Sequence, residues 1–346
     1  MNRLVLIGNG FDLAHGLKTS YIDFLDWYMC DAFQQFYEKK SYSDCLIEIK
    51  NKYSSMTSSF ENKPKTFEEV LSFISYNDYQ SITYKSPFFK DLLELYNTNN
   101  WVDIERYYFG KLKAMFSSSR QTGKKESVLK LNSDFDLLIK KLSEYITIIN
   151  NDIRNISELN INSKSNFKKV FEEEEEHSNV KFLNFNYTET LQAKHYAHDD
   201  EVIHIHGRVT ESEYNPIIFG YGDESDPAYQ SIEDSGENIY LEHIKSFGYF
   251  KTSNYHELLS YIDSAHYVVY VVGHSCGISD RILLNEIFEH RNCNTIEIFY
   301  YVRKDGSDNF KEITQEISRH FKPHNKGIMR RKVGRQNADN IIPQKN

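Results

Sequence analysis

The sequence is poor in cysteine and proline, has no long apolar run and carries no excess of positive charge, and each lack excludes something. The four cysteines, Cys30, Cys45, Cys276 and Cys293, include no C-x-x-C pair. This excludes a zinc ribbon and argues against a disulfide framework. No segment approaches the roughly 20 apolar residues that a membrane-spanning helix needs. The first apolar stretch, Leu4-Val-Leu-Ile7, stops at Gly8 and is too short for a signal peptide. Together these absences point to a soluble, cytoplasmic protein with no membrane association. The six prolines mark no long linker, and no internal repeat is present.

Lys and Arg number 41 against 50 Asp and Glu, a net charge of −9. Five of the acids form one run, Glu172 to Glu176, which reads as a solvated helix end or loop; without it the balance is −4. A chain held to nucleic acid by a broad electrostatic footprint would carry a basic surplus, so sequence-independent duplex binding is disfavoured as the main function. The basic stretch Lys322 to Arg335, with Arg330, Arg331 and Lys332, reads as a solvated tail, local contact with nucleic acid being its alternative.

What is present is enough apolar residue, 40% of 346, to bury a substantial core, with 25 Tyr and 23 Phe to fill it. Leu4 to Ile7, the turn Gly8-Asn9-Gly10, and a helical pattern over Tyr21 to Phe36 open the chain as strand, glycine turn and helix. From about 40 to 177 the pattern is helical. Thr66-Phe-Glu-Glu69 has the form of a capping box, and Leu131, Phe135, Leu138, Leu142, Ile146, Ile149 and Ile153 place one apolar stripe on a long core-facing helix.

After 178, strands are expected at Val180–Asn186, Val202–His206, Pro216–Phe219, His266–Val272 and Thr295–Val302. Helices are expected at Ile239–Ser246, Tyr255–Asp263, Asp280–Glu289 and Asp308–His320. This alternation predicts an α/β fold with a largely parallel sheet. The expected domains are a discontinuous sheet domain of residues 1–39 and 178–321, a helical insertion of 40–177 and a basic C-terminal tail of 322–346.

Ligands of such sheets bind outside the carboxyl ends of the strands. Three clusters fall there: Gly8-Asn9-Gly10-Phe11-Asp12; Asn184-Phe-Asn186-Tyr187-Thr188 with His204-Ile-His206-Gly207; and Gly273-His-Ser275-Cys-Gly277 leading to Asp280. G-x-G alone is a weak signal, since the dinucleotide fingerprint wants a third glycine where Leu13 stands. An amide at Asn186 can orient a water, and a histidine at 206 suits proton transfer near neutral pH.

The opening LVLIGNGFDLAHGLKTSYIDFL resembles the signature of the AbiH abortive-infection family of anti-phage proteins. FLNFNYTETL, VIHIHGRV, IIFGYGDE and VVGHSCGISDR resemble its later blocks in order. That family in turn looks like a distant relative of sirtuin-like, Rossmann-type NAD-binding domains. The resemblance implies a phosphate turn at Gly8, Asn9, Gly10, Phe11 and Asp12, followed by Gly16. It implies catalytic Asn186 and His206, with Tyr187, Gly273, Ser275 and Asp280 around the cofactor. Position 12 is Asp where sirtuins carry Ser. The missing ribbon disfavours deacylation, so the implied activity is hydrolysis of NAD, as substrate, to ADP-ribose and nicotinamide. The implied setting is phage defence, triggered by a phage component and compatible with a homo-oligomer.

Three other readings stand beside it. Gly273-His-Ser275-Cys-Gly277 is a literal G-x-S-x-G, as in hydrolases with a serine nucleophile. His195, His198, His204 and His206 could hold a metal for a nuclease or phosphoesterase, although the resemblance implies no metal. The same fold could also bind NAD or ADP-ribose without cleaving it, as a sensor.

Overall fold

The computed structural model describes residues 1–51, 63–76, 80–96, 101–118, 122–156, 159, 165–171, 179–211 and 213–344. The Glu172–Glu176 run lies outside the described residues. In chain order the elements begin with β1 (Asn2–Ile7), α1 (Asn9–Ala14) and α2 (Tyr21–Lys39). Next come β2 (Ser41–Ser43), β3 (Ile47–Asn51), α3 (Phe67–Tyr76), β4 (Gln80–Tyr84), α4 (Pro87–Glu94), α5 (Trp101–Ser117) and α6 (Lys124–Asp152). They continue through α7 (Asn166–Phe171), β5 (Val180–Asn184), α8 (Thr190–Ala193), β6 (Val202–His204), α9 (Pro227–Asp234), α10 (Lys245–Gly248) and α11 (Asn254–Ser264). The last are β7 (Tyr267–Val272), α12 (Arg281–Glu289), β8 (Cys293–Phe299), α13 (Phe310–His320) and α14 (Lys326–Lys332).

The chain divides into two compact units. One comprises residues 1–19, 146–230 and 243–346, the other 20–145 and 231–242. The first holds a five-stranded sheet in the order β6-β5-β1-β7-β8, with every neighbouring pair parallel. Counted along the chain these are its third, second, first, fourth and fifth strands, so the order reverses between β1 and β7, as in doubly wound sheets.

Side-chain alternation explains why the strands read as continuous apolar runs. Leu4 and Leu6 join Leu183, Ile203, Val269, Val271, Ile296 and Ile298 beneath residues of α11, α12 and α13. Val5 and Ile7 join Phe182, Val272 and Phe299 on the other face, against residues of α1, α7 and α8. Both faces are buried, so β1 has no polar side to show.

The second unit is not purely helical. It contains an antiparallel sheet, β2-β3-β4, within the stretch expected to be helical. Asp44 sets its first turn, accepting from the backbone N–H groups of Leu46 and Ile47 and from the Tyr28 and Tyr42 hydroxyls. A capping box of Ser20 with Asp23 starts α2, and Thr66 accepts from the Glu69 N–H at the start of α3. The stripe on α6 buries Leu131, Phe135, Leu138 and Leu142, with Phe135 stacked 4.1 Å from Tyr108.

The boundaries therefore differ from expectation. α2 belongs to the helical unit, because its apolar face packs there, and residues 146–171 belong to the sheet unit. Pro216–Phe219 forms no strand, and Ile239–Ser246 is two short turns around Leu241–Ile244. Residues 322–344 are no loose tail: Val333 and Ile341 bridge to Ile296 and Tyr300 along the outer side of β8.

Candidate functional site

The sheet's order reverses between the carboxyl ends of β1 and β7, and there the two glycine turns press on each other. A Cβ on Gly8 would lie 2.5 Å from His274 Cα, and one on Gly10 2.8 Å from the Gly273 carbonyl oxygen. Gly273 has φ +69°, and a Cβ there would meet the Phe11 nitrogen at 2.2 Å. The Gly8 N–H donates to Val272 O, that of Gly10 to Gly273 O at 2.8 Å, and that of Phe11 to Gly8 O at 2.8 Å. The glycines thus permit backbone against backbone, and three of the turn's N–H groups are already bonded. The Phe11 ring is fully buried among His15, Phe167, Phe171 and Tyr196, and Asn9 is half-buried. Gly16, at φ +77°, ends α1: its N–H donates to Leu13 O and that of Leu17 to Asp12 O, the paired bonds of a Schellman turn.

Asp12 turns from α1 toward the residues following β5. Its carboxylate accepts from Thr188 Oγ1 at 2.6 Å and Thr190 Oγ1 at 2.7 Å, and it is buried. Burial pushes the carboxyl up to about 6, with the bonds from Thr188, Thr190 and Asn186 pulling the other way. Asn186 Nδ2 donates to Gly8 O at 3.1 Å, and its backbone N–H donates to Asn184 Oδ1 at 3.0 Å. Asn186 therefore ties the end of β5 to the glycine turn.

A second buried cluster centres on Asp280. Lys245 Nζ lies 2.8 Å from Asp280 Oδ1, His206 Nε2 3.1 Å from the same oxygen, and His274 Nε2 3.7 Å from Oδ2. The His206 approach is an ion-pair distance outside hydrogen-bond alignment. Burial alone would raise Asp280, but Lys245, His206 and His274 outweigh it and hold the carboxyl well below the usual range. His206 is pushed below its ordinary value by burial and then by the Lys245 charge, against the opposing pull of Asp280. Its ring meets Phe185 edge-on at 5.2 Å and lies 6.4 Å from Tyr249, parallel to it, and 6.4 Å from Tyr187. The Tyr187 hydroxyl donates to Ile218 O.

The two clusters are adjacent through the contact of Gly8 with His274. The structure thus brings together Gly8, Gly10, Asp12, Asn186 and Gly273, and beside them His206 and Asp280. Ser275 is exposed, and the histidine bonds at this turn go to Cys276: His274 Nδ1 accepts from the Cys276 N–H, and His320 Nε2 donates to Cys276 O. Burial pushes the Cys276 thiol above its ordinary value. Among the described residues no hydrogen bond joins Ser275 to a histidine there. His195 and His198 are exposed whereas His204 and His206 are buried, and among the described residues no three His, Cys, Asp or Glu side chains are placed to hold a metal ion.

Thr188, Thr190, Lys245 and His274 were not singled out from sequence. Thr188 and Thr190 stand inside FLNFNYTETL and His274 inside VVGHSCGISDR, so the blocks themselves carry the signal for them. Lys245 had none, because a lysine in a polar stretch looks solvated until the fold buries it against Asp280. Asp223, in the GYGDE block, likewise receives Arg281 at 2.9 Å.

No curated protein and no solved structure matches the chain. The sequence model of the family described as Bacteriophage abortive infection AbiH matches residues 4–302. That span holds both glycine turns, Asp12, Asn186, His206, Lys245 and Asp280, and the chain belongs to the AbiH bacteriophage abortive-infection family.

Proposed function

We propose that this abortive-infection protein acts on phage-infected cells by hydrolysing NAD to ADP-ribose and nicotinamide, with His206 as general base. The observation that carries this reading is the buried pairing, just past the end of β6, of His206 Nε2 with Asp280 Oδ1 at 3.1 Å, burial holding the histidine below its ordinary value and Lys245 and the histidines holding Asp280 ionised. Asp280 faces Nε2 and favours the tautomer with its proton there, which leaves the Nδ1 lone pair to take a proton from water. Lys245 balances the buried carboxylate, so Asp280 is a positioning residue and not itself a proton acceptor.

In this reading the bond from ribose C1′ to the nicotinamide nitrogen breaks with its electron pair leaving on nicotinamide. Water then adds to the oxocarbenium-like carbon as His206 takes its proton. Asn186 holds the residues after β5 on the Gly8 carbonyl. The amides of Gly8, Gly10 and Phe11 are engaged within the protein, so support for the NAD-binding half, including the sirtuin-like character of the fold, comes from the family resemblance. Support for the catalytic half comes from His206.

The test is NAD consumption and phage protection by His206→Ala and Asn186→Ala. Each is expected to lose about 10²–10⁴-fold in rate and to lose protection, with the fold retained. Retained hydrolysis in both variants contradicts the mechanism. A second reading, resting on the same two glycine turns at the carboxyl ends of β1 and β7, is a sensor that binds NAD or ADP-ribose without cleaving it. A protein that binds NAD, protects cells and releases no nicotinamide would establish that reading instead.

A further inference from the structure

Residues 319–335 contain seven Lys or Arg, namely Arg319, Lys322, Lys326, Arg330, Arg331, Lys332 and Arg335, and no Asp or Glu, in a chain of net charge −9. The fold holds this segment in place. Gly334 N–H donates to Ile296 O at 2.9 Å, Val333 bridges to Ile296, and Lys332 Nζ donates to the carbonyls of Phe288 and His290. Glu289 accepts from the Lys322 N–H and from Asn325 Nδ2. Lys326 is spent on Ser318, and Arg319 pairs with Glu316.

Lys322 acts on the Glu289 carboxylate, which its charge helps to hold below the usual range. After these assignments Arg330, Arg331 and Arg335 remain. All three are exposed, and among the described residues none makes an ion pair. An acidic protein that fixes three unpaired cations on and beside one short helix has a local electrostatic footprint that its net charge conceals. All three are arginines, whose planar fork matches phosphate oxygens in pairs. We infer that the platform formed by α14 and its flanks is a docking surface for the phosphodiester backbone of nucleic acid. Recognition there is by charge and independent of base sequence. The surface is built from residues outside the Asp12 and Asp280 clusters, and the inference does not depend on NAD chemistry.

The experiment is fluorescence anisotropy of the full-length protein with a labelled DNA duplex and the corresponding single strand, across a salt series from about 50 to about 200 mM. The comparison is with the triple variant R330E/R331E/R335E, whose unchanged melting temperature shows that the exposed substitutions leave the fold intact. Binding by wild type that weakens with salt is expected. The variant should bind at least about tenfold more weakly, with a log–log salt slope shallower by about 2–3 for three lost phosphate contacts. Absence of wild-type binding at the lowest salt overturns the inference, as does equal binding by the folded variant. Binding to phosphatidylserine vesicles without binding to either oligonucleotide also overturns it and reassigns the platform to an anionic lipid surface.

Discussion

Gly273 is constrained from two sides, by its left-handed backbone and by the Phe11 nitrogen at the place a Cβ would occupy. Gly273→Ala is expected to cost about 2 kcal/mol or more in stability, read by urea denaturation. An alanine variant as stable as wild type would show that the two turns can move apart. Asp12 makes a signed prediction. Its folded value of about 6 exceeds the ordinary 3.8, so the folded protein keeps a proton that the unfolded chain has released. Stability should therefore fall as pH rises between those values and stay lowered above them, by up to about 3 kcal/mol. Asp12→Asn should remove that slope, gaining on wild type as pH rises from about 4 to about 7; parallel denaturation curves for the two proteins would contradict it. Asp280→Asn strands the Lys245 ammonium in the interior and should cost about 3–5 kcal/mol. Adding Lys245→Met should recover part of that loss, which a double-mutant cycle measures.

At the scale of elements, strands buried on both faces were the most legible part of the sequence. Val268 to Val272 and Leu4 to Ile7 are apolar throughout, and both lie in the sheet as expected. The antiparallel β2-β3-β4 sheet was not legible because β2 is three largely exposed residues and β4 has one aliphatic side chain, Ile82. Of the candidate site, the strand-end positions of Asn186 and His206 could be read, since glycine, amide and histidine clusters punctuate apolar runs. What surrounds them could not, because Asp280 meets His206 and Lys245 only through long-range packing. The segment after Phe321 was misread for a similar reason: its charge looked solvated, while Val333 and Ile341 close the outer side of β8. Ending the chain at Lys322 uncovers that edge, which favours pairing with other chains. The truncated protein is expected to aggregate in size-exclusion chromatography; a monodisperse truncated protein with an unchanged melting temperature would contradict this.

On the scale of the whole molecule, the sheet unit contains every residue of both buried clusters, and the helical unit contributes none of them. The family match covers both units, from residue 4 to 302, so the abortive-infection role belongs to the chain and not to the sheet alone. Among the described residues no helix is long and apolar enough to cross a membrane. The proposed function makes defence depend on His206 acting on NAD. Its most direct test is the cellular NAD content after infection, in cells that the wild-type chain protects and in cells carrying His206→Ala at equal protein level. NAD collapse with nicotinamide release is expected in the first, and neither collapse nor protection in the second. Protection by the wild type with NAD undiminished would contradict it.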